Sequence, residues 1–149
     1  AAGSSEDLFN LLLKNGADPG IKTADGTTAF TAACIGVIRG KISLKVLRTL
    51  LAKGADVDEA ASSGPAAGYT PLMTAARNNK PDLVRFLLDN GADANARAAD
   101  GKTALALAGQ AGNSEVIKLL RAAGAKYYKI CKNRSAGRKI ISGDNLNLK

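Results

Sequence analysis

The stretch that decides the fold is TPLMTAARNNKPDLVRFLLDNGAD, at residues 70–93. Its pattern returns 33 residues later as TALALAGQAGNSEVIKLLRAAGA, at residues 103–125. Self-similarity at a fixed period of this size is typical of stacked repeats, in which each helical unit needs its neighbours to bury its apolar face. The sequence therefore predicts an all-α solenoid of stacked helix-turn-helix units.

The same pattern extends towards the N-terminus. TAFTAA at residues 28–33 leads to VLRTLLAKGAD at 46–56, and EDLFNLLLKNGAD at 6–18 supplies a further half unit. Together these motifs resemble the ankyrin repeat, which has a D-x-x-G-x-T-P-L-H-x-A-A inner helix, an L-L-x-x-G-A-D outer helix end and a projecting β-hairpin loop. The resemblance covers roughly residues 6–126. It implies an ankyrin-repeat solenoid with β-hairpin loops and a C-terminal extension.

The repeats suggest a division of the chain into two parts. Residues 1–126 are expected to form the solenoid, with the outer helix of a partial repeat at 6–18 and repeats at about 19–56, 57–93 and 94–126. Residues 127–149 form a basic C-terminal extension. Because the first unit begins at its outer helix and the chain begins with Ala1, either a fragment of a longer protein or a product processed from a precursor is expected.

Two kinds of residue should delimit the helices. A Thr hydroxyl can accept a hydrogen bond from the free N–H groups of a first helical turn, and Gly after an amphipathic run can end a helix in the left-handed conformation. The predicted starts of the inner helices are Thr28, Thr70 and Thr103, and the predicted ends of the outer helices are Gly16, Gly54, Gly91 and Gly124.

The chain departs from the family pattern at several positions. The His that follows T-P-L in the family is replaced by Thr31, Met73 and Ala106. We therefore expect the hydrogen bonds that this His makes between repeats to be lost, at some expense in stability. Asn95 occupies the hairpin position where the family has Asn, and a local turn bond from its amide is the expected role.

The spacing between the first two Thr residues is 42, which is nine more than the regular period. About five of the extra residues lie within 35–45, between the inner and outer helices, and four lie within 58–68, in the hairpin. Insertions in solenoids are placed in loops, often on the binding face. Either a tolerated surface insertion or a functional one is consistent with the sequence.

Charge is distributed unevenly. Residues 1–125 carry 14 Lys and Arg against 12 Asp and Glu, whereas residues 126–149 carry seven Lys and Arg against the single Asp144. A second basic stretch lies between residues 39 and 53, and no acidic residue occurs between Asp25 and Asp56. Such patches attract phosphate or acidic protein surfaces. The possible contacts to an anionic partner are Arg39, Lys41, Lys45, Lys132, Arg134, Arg138 and Lys139.

Catalysis is not expected. The chain has no His, which removes the usual general base and a common metal ligand, and two Cys cannot complete a structural zinc site. Neither G-x-x-x-x-G-K-[ST] nor G-x-S-x-G occurs. We therefore predict no catalytic residues, no metal site and no cofactor.

The resemblance instead implies binding on a concave face made of hairpin fingertips and inner helices. The partner-binding residues carried over by position are Asp25, Thr27, Tyr69, Met73, Arg77, Asn78, Asp100, Lys102 and Gln110. Tyr69, Met73 and Arg77 are the expected central anchor, because aromatic and Arg side chains dominate interface energetics and Met adapts to irregular surfaces. Alternatively, Tyr69 packs on its own enlarged finger.

The favoured function is a non-catalytic protein-protein interaction module, monomeric by itself or a subunit of a complex. The alternative is a structural subunit of a larger assembly, which can contain RNA, docked through the basic tail and basic insert; nucleic acid is the less favoured partner. No apolar run reaches membrane-spanning length. The expected location is intracellular, with the cytoplasm favoured over an organelle reached through a cleaved targeting peptide.

Overall fold

A computed structural model describes residues 5–24, 26–60, 67–126, 128–131 and 139–142. These residues form seven helices and one two-stranded antiparallel sheet, which confirms the predicted helical solenoid with a C-terminal extension. The elements are α1 (Ser5–Lys14), α2 (Ala29–Ile38), α3 (Leu44–Ala52), α4 (Pro71–Arg77), α5 (Pro81–Asp89), α6 (Ala104–Gln110), α7 (Ser114–Ala122), β1 (Tyr128–Cys131) and β2 (Lys139–Ser142).

The inner helices α2, α4 and α6 begin where the sequence predicted. Thr28, Thr70 and Thr103 have extended backbones, and each hydroxyl accepts a hydrogen bond at 3.3 Å from the backbone N–H three residues later. Pro71 then occupies the first turn of α4, where its missing N–H loses no helical bond. The Thr residues are therefore N-caps, as predicted.

The outer helices end at glycines in the left-handed conformation. At the end of α5, Gly91 has φ +88° and donates its N–H to the Leu88 carbonyl, while Ala92 donates to Leu87 at 3.0 Å. Gly124 closes α7 in the same way, with φ +83°. These bonds satisfy carbonyls that the helix leaves without partners, so the predicted helix stops are confirmed.

The core is a continuous seam between successive helix pairs. Helix α4 packs against α2 on one side and α6 on the other, and α5 packs against α7. Leu72 and Ala75 of α4 and Leu87 of α5 have no exposed surface. Small residues such as Ala75 let neighbouring inner helices approach closely, while Leu side chains fill the space between layers.

The five-residue insertion lengthens both α2 and the connection that follows it. Helix α2 has ten residues, whereas α4 and α6 have seven each. The α2–α3 connection runs over residues 39–43, whereas the α4–α5 connection has only residues 78–80. Three of the inserted residues are therefore helical, and α2 extends far enough to contact α5.

Thr31 occupies the position of the family His and makes a hydrogen bond to the next repeat. Its hydroxyl donates to the Glu59 carbonyl of the next repeat at 3.2 Å. The position of the family His therefore still makes one hydrogen bond between repeats in this chain, through Thr31.

Asn95 bonds to the backbone that follows α7, 29 and 31 residues later, so the predicted local bond from its amide is wrong. Its side-chain nitrogen donates to the Gly124 carbonyl at 3.2 Å, and its oxygen accepts from the Lys126 N–H at 2.8 Å. The local turn is instead closed by Asp93, whose carboxylate accepts from the Asn95 N–H at 2.8 Å.

Asp58 occupies the same place one repeat earlier and makes only part of this link. Both carboxylate oxygens accept from the Asp93 N–H, at 3.1 and 2.9 Å. A carboxylate has no hydrogen to donate to the carbonyl of Gly91, the counterpart of Gly124. Desolvation raises the pKa of Asp58, as do the neighbouring charges of Asp56 and Asp93, although the hydrogen bond from Asp93 opposes this.

We predict that Asp58→Asn stabilises the protein at neutral pH by about 1 kcal/mol, because the amide keeps the acceptor and adds a donor. The raised pKa means that the folded state holds this proton more tightly, so wild-type stability falls as pH rises from 3.8 through the folded pKa. Asn does not titrate. The gain measured by urea unfolding should therefore be larger at about pH 7 than at about pH 3. A loss of stability at neutral pH, or an equal gain at both values, would contradict this assignment.

The C-terminal extension contains the two strands. β1 pairs with β2 in antiparallel register, with Tyr128 opposite Ser142 and Cys131 opposite Lys139. A local hairpin therefore follows the last repeat, in the region that the sequence predicted as a basic extension.

Candidate partner-binding site

A hairpin finger stands immediately before each inner helix: the first finger precedes α2, the second precedes α4 and the third precedes α6. Backbone hydrogen bonds close the first and third fingers. In the third finger the Ala98 N–H donates to the Lys102 carbonyl at 2.9 Å, and Gly101 donates to Ala98 at 2.8 Å. In the first finger the Thr23 N–H donates to the Thr27 carbonyl at 3.0 Å. The Thr27 N–H in turn donates to the Thr23 hydroxyl, so the predicted site residue Thr27 is half-buried in a closed turn. Asp25 lies outside the described residues.

Three predicted site residues from two adjacent fingers meet, and we call them the finger cluster: Tyr69, Asp100 and Lys102. The Tyr69 hydroxyl donates to Asp100 Oδ2 at 3.2 Å, and Lys102 Nζ lies 2.7 Å from the same oxygen. Lys102 Nζ also lies 3.5 Å from the Tyr69 hydroxyl. The Tyr69 hydroxyl therefore bonds to the next finger, whereas residues 61–66 of its own enlarged finger lie outside the described residues.

Asp100 and Lys102 of the finger cluster stabilise each other's charged forms. Desolvation alone would raise the pKa of Asp100, but hydrogen bonds from the side chain and backbone of Lys102 and from Tyr69 lower it overall. The hydrogen bond to Asp100 raises the pKa of Lys102, and the contact with Tyr69 adds to this. Both residues are thus charged at neutral pH. The cluster presents an aromatic ring, a carboxylate and an ammonium group in one preset arrangement.

Gly68 lets the second finger approach the third closely enough to form this cluster. Its φ is +76°, and a Cβ atom at this position would lie 2.7 Å from the backbone nitrogen of Ala99. Only a residue without a side chain can adopt this conformation at this distance. The close backbone contact brings Tyr69 within reach of Asp100.

Met73 does not belong to the binding surface. Its side chain is only 1 % exposed and lies in the core between repeats, so the prediction that it lies on the concave surface is wrong. The physical reason is its position on the third residue of α4, the place of the family His, which faces the neighbouring repeat. A flexible Met fills that interior gap.

The remaining inner-helix residues lie at the opposite end from the fingers. Arg77 ends α4, Gln110 ends α6, and both are exposed. Asn78 is exposed as well, and its amide donates to the Thr74 carbonyl at 2.8 Å, which closes α4. With a rise of about 1.5 Å per residue, seven helical residues place Arg77 roughly 10 Å from the finger cluster. Tyr69 and Arg77, two members of the predicted central anchor, therefore lie at opposite ends of α4.

The predicted contacts to an anionic partner divide between the insert and the tail. Arg39, Lys41 and Lys45 are all exposed around the α2–α3 connection. Lys139 begins β2. Lys132, Arg134 and Arg138 lie outside the described residues.

No sequence pattern identified Asn113 as a residue that joins two repeats. It is 8 % exposed, and its amide donates to the Ala76 carbonyl at 2.7 Å, which ties the start of α7 to the end of α4. The equivalent residues of the preceding repeats are Lys80 and Ser43, so recurrence could not reveal this bond.

The described residues offer little to catalysis. Among them, no group of three or more His, Cys, Asp or Glu side chains is placed to hold a metal ion. Cys34 is buried, and desolvation raises the pKa of its thiol to about 12, which keeps it protonated and unreactive at neutral pH. Within the described part of the chain, the helices are too short or too polar to cross a bilayer.

Comparisons with known proteins agree with the repeat architecture. A family profile described as ankyrin repeats (3 copies) matches residues 1–98 and 37–131. A putative ankyrin repeat-containing protein of Treponema pallidum is 35 % identical over 122 residues, which is 82 % of this chain and 38 % of the relative. Mouse ankyrin repeat and SOCS box protein 16 is 35 % identical over 114 residues, covering 74 % of this chain and 24 % of the relative.

A shorter match has higher identity. The rice BTB/POZ domain and ankyrin repeat-containing protein NPR5 is 50 % identical over 64 residues, which is 42 % of this chain and 12 % of that protein. The chain thus spans less than two fifths of each of these three relatives. What they share with it is the repeat array.

We predict that Gly68→Ala destabilises the protein roughly twice as much as Gly91→Ala. Both positions have positive φ, and the left-handed conformation costs a non-Gly residue about 1–2 kcal/mol. A Cβ at Gly91 meets nothing within 4 Å, whereas at Gly68 it meets backbone. Urea unfolding of both variants measures the difference. Equal losses would show that the two fingers are not in close contact.

Proposed function

Because this chain belongs to the ankyrin repeat family, we propose that it is a non-catalytic module that binds a partner protein through its concave face. The ankyrin repeat is a general protein-protein interaction module. The proposed contact residues are the finger cluster at one end of the inner helices, and Arg77, Asn78 and Gln110 at the other.

The observation that carries this proposal is the finger cluster. Tyr69, Asp100 and Lys102 come from two fingers, are each partly exposed, and are held by mutual hydrogen bonds. Preset side chains lose little conformational entropy on binding, so more of their contact energy contributes to affinity. Tyr also supplies a large contact area at a low entropic cost.

A partner that touches both ends of the face must span roughly 10 Å along α4, which favours a folded protein surface or an extended segment over a small molecule. Arg77 is the second anchor in this arrangement. Arg and Tyr are enriched among the residues that dominate binding energy.

We predict that Tyr69→Ala and Arg77→Ala each weaken partner binding by about 2 kcal/mol, close to thirtyfold. The matched control is Arg85→Ala, which removes an exposed Arg from the outer helix α5. The immobilised full chain would first capture its partner from the native source, and calorimetry with the purified partner would then compare the variants. Thermal unfolding of each variant confirms that it is folded.

The capture is made at low and high salt, with and without nuclease. A partner retained at high salt and after nuclease, but lost with Tyr69→Ala or Arg77→Ala, supports the concave face. Recovery that disappears with nuclease supports the alternative, an assembly subunit docked on RNA through its basic residues, since phosphate contacts weaken steeply with salt. If Tyr69→Ala, Arg77→Ala and Arg85→Ala all bind the partner with wild-type affinity, the concave assignment is overturned.

A further inference from the structure

We propose that the insert between α2 and α3 forms a second docking site, for an acidic peptide segment that carries one large apolar side chain. The site is a groove of about 330 Å³, and we call it the insert groove: it is lined by Val37, Ile42, Ser43, Leu44, Lys80, Pro81, Asp82 and Leu83. It lies at the end of the repeats opposite the fingers, next to Arg77 and Asn78, and it shares no lining residue with the proposed concave site.

One wall of the groove consists of residues that the regular repeat lacks. Val37 stands in the extra turn of α2 and Ile42 in the lengthened connection. In the next repeat, α4 ends at Arg77 and a connection of three residues leads directly to α5, so no residue corresponds to either. The insertion therefore creates this wall.

The wall is held in place by local contacts. The Lys41 N–H donates to the Gly36 carbonyl at 2.9 Å, and Gly40, with φ +70°, donates to the Val37 carbonyl at 3.0 Å. The Ile42 side chain occupies the space beside Gly36, where even a Cβ atom would come within 2.5 Å of its Cδ1. The connection is thus anchored on α2, and the groove is formed before any partner binds.

The opposite wall is the first turn of α5. Lys80 donates its N–H to the Ala75 carbonyl at 3.1 Å, and the Val84 N–H donates to the Lys80 carbonyl at 2.9 Å. Pro81 is half-buried, and Leu83 beneath it is 1 % exposed. Both walls are held by backbone hydrogen bonds, and apolar side chains line most of the space between them.

The size of the groove limits the kind of ligand that can bind in it. Pockets for small molecules are typically about 300–1,000 Å³ and enclose most of the ligand. A groove at the lower limit of this range, open to solvent, suits one large side chain of a peptide. Its apolar lining favours Leu, Ile, Met or Phe.

The charged residues around the groove determine which peptide residues can flank the inserted side chain. Arg39, Lys41 and Lys45 are exposed on the α2–α3 side, and residues 26–55 contain no acidic residue. Asp82 is exposed on the α5 side. On the α5 side Lys80 offsets the charge of Asp82, so a peptide with acidic flanks is attracted mainly to the α2–α3 side. The lining has no aromatic residue on which a base could stack, and this favours protein over nucleic acid.

The test uses synthetic acidic peptides of about ten residues, which span about 30 Å when extended. Four carry a central Leu, Ile, Met or Phe between Glu and Asp residues, and a fifth carries central Ala. Fluorescence anisotropy measures their binding to the full chain, and NMR of isotope-labelled methyl groups locates it. An RNA of similar length is the competing ligand.

We expect at least one of the four peptides to bind with a dissociation constant below about 100 μM, and central Ala to weaken it about tenfold or more. Methyl signals of Val37, Ile42 and Leu44 should shift. The double variant Arg39→Glu with Lys41→Glu should weaken binding about tenfold at low salt and less at high salt. The control, Lys53→Glu with Lys118→Glu, makes the same charge change at exposed positions away from the groove and should bind as wild type.

Other outcomes overturn the proposal. These are no binding by any of the four peptides, binding that is indifferent to the central residue, tighter binding of the RNA, or methyl shifts confined to α4 and α6. Tyr69→Ala and Arg77→Ala should leave peptide binding unchanged. Failure of the concave site and failure of the insert groove are therefore distinguishable in the same set of variants.

Discussion

The packing of each helix pair against its neighbours is the interaction on which the rest of this structure depends. Leu72, Leu87 and Leu120 are fully buried only because helices of adjacent repeats cover them. At about 25 cal/mol per Å² of apolar surface, this seam is the main favourable contribution to folding. A helix of seven residues such as α4 would not be stable alone in water, because forming the first turn is costly.

Polar contacts between repeats set the register of this apolar seam. Asn113 and Thr31 each bond to a backbone group of a neighbouring repeat, and Asn95 bonds to the backbone that follows α7, at separations of 28 to 37 residues in sequence. Backbone groups buried at such junctions must be paired, and each pairing has one geometry. Asp58 accepts the bond from the Asp93 N–H, which corresponds to the bond that Asn95 accepts from Lys126, but its carboxylate cannot donate to a carbonyl. Desolvation and the nearby carboxylates raise its pKa. The apolar seam supplies stability, and these bonds align the fingers.

A stacked architecture also confines a change of length to one place. The insertion adds a turn to α2 and lengthens its connection, yet α4 and α6 keep the same length and the same Thr caps. Since each repeat contacts only its neighbours, new side chains such as Ile42 can be added at the end opposite the fingers without moving the fingers. The finger cluster and the insert groove are thus two surfaces that can vary independently.

The period of 33 residues, the Thr caps and the Gly stops were sufficient to predict the solenoid, because each depends on local backbone chemistry that recurs in the sequence. The sequence also identified Tyr69, Asp100 and Lys102 as candidates by position. Only the tertiary structure showed that they contact one another, that Met73 is buried, and that Asn95 bonds to the backbone that follows α7. Burial and pairing across repeats depend on which side chains face each other after stacking, and the distance along the chain does not contain that information.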